Sequence, residues 1–324
     1  MWMSIIKTGR KAVDIATAQK AFPAIVGMLV LMLFFPQSGF YSAYNLIDLL
    51  NSTSILLILA FGVTLTVISG GCDLSIGGIL AVSGVIAIQL MNVLPMWLAI
   101  AVTLLTGAFM GFVNGFLVVQ QKTEPFIITL GTGLLLTGVA QQLTDARPIV
   151  CNNPHFVELA HGRLLFFIPN LVMVMLVVFL LTHLLMRYTQ FGRNCYAIGG
   201  DYEVAMNSGI NVVKTKWLTF VICGFLSALA GIMLSAKLNS GSSIYGESSA
   251  LVVNCGVVVG GTSFAGGVGG IPQSALGLLV FGILANAMNM LGIQSYIQIL
   301  LQGGVIVGII WLDCFTNKRK RESV

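Results

Sequence analysis

The chain has 324 residues, of which 57% are hydrophobic and 8% charged, with a formal net charge of +5 and a mean hydropathy of +0.96. A soluble globular domain carries about 25% charged residues, so this composition excludes one and indicates a polytopic membrane protein. The basic excess gathers at the two ends and in one internal polar stretch, which argues for membrane topology and against a nucleic-acid partner.

A helix crossing the hydrocarbon needs about 20 apolar residues, so the length has room for about eight to ten spans. Runs such as residues 171–185 show no alternation of polarity, which makes the spans helices rather than barrel strands. Residues 1–21 form a basic arm with Lys7, Arg10, Lys11 and Lys20. Span 1 follows at 22–36 and ends at Pro36 without a small-residue cleavage site, so it is read as an uncleaved helix. Span 2 covers 43–69, the break Gly70-Gly71-Cys72-Asp73 follows, and span 3 covers 74–91. Spans 4 and 5 cover 96–119 and 125–143 on either side of a polar corner at 120–124.

A loop at 144–167 carries Asp145, Arg147, His155, Glu158, His161 and Arg163. Span 6 at 169–186 leads into the longest polar interruption of the chain, 187–216, with Arg187, Arg193, Lys214, Lys216, Asp201 and Glu203. Span 7 covers 217–236 and a Ser/Gly-rich loop covers 237–249. A short apolar piece at 250–259 is too short for a straight crossing; the glycine-rich segment 260–270 follows, then spans 9 and 10 at 273–291 and 295–311. An eight-span version has 250–270 re-entrant and the same sidedness. With ten spans both termini share one side, which then holds thirteen of the sixteen Lys and Arg, leaving Arg147, Arg163 and Lys237 opposite. The positive-inside rule puts the termini and the 187–216 stretch in the cytoplasm. The expected organisation is a basic arm at 1–21, a single transmembrane domain at 22–312 and a basic tail at 313–324.

Ionisable residues inside a membrane are costly and mark ion pathways. The spans here hold almost none: Asp48 and His183 fall near span ends, and only Asp73 falls deeper. No GxxxxGK[ST] loop is present, so the chain has no phosphate cradle of its own, and uphill transport would need a partner's energy. The six cysteines are scattered, with no metal-ligand or disulfide spacing, and no Ser/His constellation lies within the spans; no catalytic or metal site is expected. Within 187–216, residues 203–209 read as an amphipathic turn or two ended by Gly209, which can take the left-handed cap conformation. Such a short helix is what a membrane subunit offers to a groove in a soluble motor domain; a solvated connector is the other reading.

At nearly full length the chain resembles the permease subunits of the ribose-type branch of bacterial ABC sugar importers. Residues 69–77 are similar to the family's SGGIDLSVG, 111–115 to its GxVNG, and 125–131 to its PxFIxTLG with Arg147-Pro148-Ile149 following. Arg193, Tyr196, Gly199, Gly200, Ala205, Ser208, Gly209 and Ile210 match its cytoplasmic loop, and Gly260-Gly261-Thr262-Ser263, Asn286, Asn289 and Asp313 fit its end. The resemblance implies an inner-membrane permease that pairs with a second permease, receives a monosaccharide from a periplasmic binding protein and is driven by two cytoplasmic ATPases. ATP and Mg would bind those partners, not this chain. It also implies that 187–216 is the coupling loop, with Glu203, Ala205 and Gly209 at the centre of the contact. The sequence departs from the family where an acidic pair precedes GGT, here Ala250 and Val252, where an arginine precedes the glycine of span 5, here Thr137, and where an Asn follows the loop's Gly-Gly, here Asp201. Glu247 stands a little upstream of the first.

Asp73 has two readings, as a cap of span 3 accepting from amides near Ser75 and Ile76, or as a sugar-hydroxyl ligand on the path. Ser75, Thr129, Asn51, Asn114, Asn254, Asn286 and Asn289 are neutral hydrogen-bonding groups at membrane depth, either lining a weakly interacting path or joining helices. Arg147, Glu158, Arg163, Lys237 and Glu247 are charges available for binding-protein docking. The alternatives in function are a permease for another small hydroxylated solute and an ion-coupled secondary porter, which the bare interior disfavours.

Overall fold

The computed structural model describes residues 21–35, 39–121, 123–164, 168–305 and 307–308. The expected basic arm, apart from its last residue, and the basic tail lie outside the described residues. Helices α1 (Ala21–Leu33), α2 (Ala43–Ile68), α3 (Ile76–Met91), α4 (Met96–Gln120) and α5 (Pro125–Thr144) come first. Then follow β1 (Ile149–Val150), α6 (Pro154–His161), β2 (Arg163–Leu164), β3 (Ile168–Pro169), α7 (Asn170–Tyr188), α8 (Gln190–Gly200), α9 (Tyr202–Asn207) and α10 (Val212–Leu238). The chain continues through β4 (Ser240–Gly241), α11 (Ser249–Val259), α12 (Ile271–Met290) and a last helix at residues 295–305, α13.

Among the described residues six helices are long and apolar enough to cross a membrane: α2, α4, α5, α7, α10 and α12. Six qualify where eight to ten were expected; α3 and α11 fall short, with only 16 and 11 residues, or about 24 and 17 Å of rise. The first starts just after the break that holds Gly70 and Gly71, and the second ends at Gly260.

The stretch 187–216 is not an extended loop. Thr189 accepts from Gly192 N to start α8, Asp201 accepts from Val204 N (2.9 Å) to start α9, and Asn211 accepts from Lys214 N (2.9 Å) to start α10. The long helix therefore begins at Val212 rather than at the expected Trp217, since Lys214 and Lys216 lie in its first turns and need not break it. The expected loop at 144–167 contains α6, whose Asn153 side chain accepts from His155 N (3.0 Å) with Pro154 at the first helical position. A two-residue antiparallel ladder joins β1 to β4, with Ile149 opposite Gly241, and another joins β2 to β3.

Contacts divide the chain into two compact units, Leu50–Leu278 and Met1–Leu49 with Leu279–Val324. In the larger, α10 is central: 67% of its apolar window is buried, against 17% for α5. Small residues set that closeness. Gly107 and Gly111 of α4 meet Gly224 and Phe220 of α10, and a Cβ at Gly111 would stand 2.2 Å from Phe220 O. In the smaller unit Met32, Phe40, Leu49, Ile283 and Ala287 form a cluster. There Asn45 and Asn286 exchange amide hydrogen bonds, both 2.9 Å.

Candidate functional site

The candidates within 187–216 form a compact helical module. Ala205 is turned inward with Ile198 and Val212, and Ile210 packs on the same cluster. Ala205 is 2% exposed, and it anchors α9 to its own chain. The residues left outward on α9 are Tyr202, Glu203, Val204, Met206 and Asn207, three of them apolar, with one acid and one amide. Sequence reasoning singled out Glu203 but missed the other four. The signal was the spacing, because a helix turn anchored at position 205 must present its neighbours on the opposite side. Ser208 bonds back to Val204 O (2.7 Å), and Gly209 closes the helix at φ +77° with its N–H on Met206 O (3.1 Å).

The inner side of the module is held by close backbone contact. Gly267 N donates to Ile68 O (2.9 Å) at the end of α2, and a Cβ on Gly199 would lie 1.9 Å from that same oxygen. Gly200 meets Gly267, and Tyr196 OH donates to Gly269 O (2.9 Å). Burial pushes the thiol of neighbouring Cys195 up to about 12, which keeps it neutral. Arg193 stays at the rim, bonded to Gln190 Oε1 (2.7 Å).

Beyond Ile68 the backbone leaves the helix, and five of the path candidates meet there. Asp73 Oδ1 accepts from Ser75 N (2.9 Å) and Ser75 Oγ (2.6 Å), but the cap residue of α3 is Ser75 rather than Asp73, and no bond to Ile76 N is formed. Ser75 Oγ accepts in turn from Asn114 Nδ2 of α4 (2.7 Å). Asn254 of α11 donates to Asp73 O (3.0 Å), and Thr129 of α5 accepts from Leu74 N (3.0 Å). The break is therefore tied to three helices, and the side chains of Asn254 and Thr129 satisfy two of its backbone groups, as non-helical backbone inside a membrane protein requires. Asp73 is fully buried; its Oδ2 and Asn114 Oδ1 have no N–H or O–H donor. The Cys223 thiol lies against the Asp73 carboxylate. Cys223 is about 16 Å along α10 from Val212, so the break lies beside the middle of that helix.

The other three candidates do not join this cluster. Asn286 is paired with Asn45, Asn289 Oδ1 accepts from Gln298 Nε2 (2.9 Å), and Asn51 has a buried Oδ1 without a partner. Among the described residues no three of His, Cys, Asp and Glu gather as a metal site.

A family model described as the permease component of branched-chain amino acid transport systems matches residues 45–310. The ribose import permease protein RbsC of Haemophilus influenzae is 36% identical over 307 residues, 93% of this chain and 94% of the relative. The D-allose transport system permease protein AlsC of Escherichia coli K12 is 32% identical over 86% of each chain. The L-arabinose transport system permease protein AraH of the same strain is 32% identical over 81% of this chain and 80% of its own. No solved structure matches the chain.

Proposed function

The chain belongs to the family of permease components matched over residues 45–310, and on that premise we propose that it is the membrane subunit of an ATP-driven sugar importer. The observation that carries this reading is the near full-length likeness to permeases named for ribose, allose and arabinose. The family description names amino acids, but the relatives that cover more than four-fifths of the chain are named for sugars. The subunit does no covalent chemistry. It takes a monosaccharide from a periplasmic binding protein and passes it through the inner membrane beside a second permease, while cytoplasmic ATPases supply the energy.

In this proposal α1, α3, α11 and α13 lie in the membrane with the six long helices, and both termini face the cytoplasm, as the distribution of Lys and Arg supports. The basic ends at 1–21 and 313–324 flank one transmembrane domain. The ATPase contact is the outward face of α9, with Tyr196, Gly199 and Gly200 of α8 passing its displacement to Ile68 and the 260–270 segment. Asp73, Ser75, Asn114, Thr129 and Asn254 form the joint on which α3 moves relative to α2.

Affinity purification from membranes in which the chain is co-expressed with its ATPase partner tests this reading. A stable complex is expected, and its loss in Gly209→Pro with insertion intact is expected too, because proline cannot adopt φ +77°. Purification of the wild-type permease free of any ATPase would overturn the proposal, and an intact Gly209→Pro complex would move the contact elsewhere.

A further inference from the structure

Glu247 lies exposed in the turn between β4 and α11, and the contacts of that turn place it beside α3 and α5. Past β4, where Gly241 lies against Gly84 and Val85, the chain turns along α3 until Gly246 rests on Gly77. That is seven residues nearer the start of α3, or about 10 Å along its axis. Beside it Gly78 rests on Gly133, near the middle of α5. A Cβ on Gly77 would stand 2.4 Å from Gly246 O and one on Gly78 would stand 2.4 Å from Gly133 O, so these are backbone-on-backbone contacts that only glycine permits.

The three segments leave a cleft of about 260 Å³ between them. Phe126, Leu130, Leu134 and Leu251 give it apolar walls, and Thr137 and Glu247 supply its polar side chains. The cleft also takes in Thr137 and Ala250, two positions at which the sequence departs from the pattern it otherwise resembles. Among the described residues, no hydrogen bond or ion pair engages the Glu247 carboxylate, and α11, which begins two residues later, draws no capping bond from it. A carboxylate beside the midsection of a membrane-spanning helix is costly in hydrocarbon, so the position implies a polar occupant.

The chemistry of the lining narrows that occupant. Thr137 Oγ1 donates to Gly133 O (3.0 Å), so toward the cleft it offers lone pairs, as the Glu247 carboxylate does. A lining of acceptors selects a ligand rich in donors and repels anions. The volume falls below the roughly 300–1,000 Å³ of drug-sized pockets, which suits one small ring. Apolar walls suit the C–H faces of such a ring.

We propose that this cleft is the sugar-contact site of the permease, in which Glu247 accepts hydrogen bonds from the hydroxyls of a neutral monosaccharide. The assignment rests on the sugar-permease reading above. It is tested in proteoliposomes holding the permease with its ATPase and binding protein, by initial uptake of radiolabelled D-ribose and D-allose together with basal ATP hydrolysis. Glu247→Gln is expected to cut uptake about 10–100-fold, the loss of one charge-assisted hydrogen bond, with basal hydrolysis retained and partial recovery in Glu247→Asp. Wild-type uptake rates in Glu247→Gln and Glu247→Ala overturn the cleft assignment alone. A wild-type complex that moves neither sugar overturns the sugar-permease reading, and this assignment with it.

Discussion

Asp73 and Glu247 are both carboxylates beside mid-helix residues, and they differ in everything that surrounds them. Asp73 is fully buried, one oxygen holding the amide and hydroxyl of Ser75 and through them Asn114, in a knot whose backbone is tied by Asn254 and Thr129. Glu247 is exposed in a cleft of apolar walls with no partner of its own among the described residues. The first has one oxygen committed to shaping the chain and the other shut away from solvent, while the second has both open to a ligand. Position beside a helix alone therefore does not separate the two carboxylates; the state of their hydrogen bonds does.

The largest expected effect breaks the first half of this comparison. Asp73→Ala strands the Ser75 amide and hydroxyl in a buried site, at about 1–3 kcal/mol for each unpaired donor, and should lower the thermal unfolding midpoint in detergent by several degrees. Glu247→Gln, which strands nothing, should leave that midpoint in place. A next, smaller effect sharpens the second half. Gly77→Ala puts a methyl 2.4 Å from Gly246 O, and overpacking of this kind costs about 1–3 kcal/mol. It should displace the Glu247 segment and so reduce uptake even where the folded protein is recovered. The smallest effect is a control outside both sites. A double-mutant cycle on Asn45 and Asn286 should give a coupling of about 0.6 kcal/mol, the average for interhelical hydrogen bonds in membranes; a value near zero would deny the amide pair a joining role.

Much of this was readable from the residues. Hydropathy located the six long helices to within a few positions, and Gly70-Gly71-Cys72-Asp73 announced the break between α2 and α3 because no apolar helix continues through it. Thr129, Asn114 and Asn254 were also legible, since amides and hydroxyls at membrane depth need partners. Their convergence on one point was not, because it depends on how α4, α5 and α11 cross. Hydropathy does not announce α6, although Asn153-Pro154 is a cap signature, and polar composition masks α8 despite its Thr189 cap, whereas α9 lies where the residues read as a short amphipathic helix ended by Gly209. The cleft was illegible for a different reason. The depth of Glu247 is set by the β1–β4 ladder and by Gly246 resting on Gly77, partners about 90 and 170 residues away in sequence, and neither local propensity nor hydropathy reports such pairing.

The most direct measurement of the central claim is sugar uptake by cells expressing the permease with its ATPase and binding protein, followed as an uncoupler collapses the proton gradient while ATP is held constant. Uptake that continues at its original rate, and stops when ATP is depleted with the gradient intact, is the result expected of an ATP-driven permease. Uptake that stops with the gradient while ATP persists would contradict it and identify an ion-coupled porter instead.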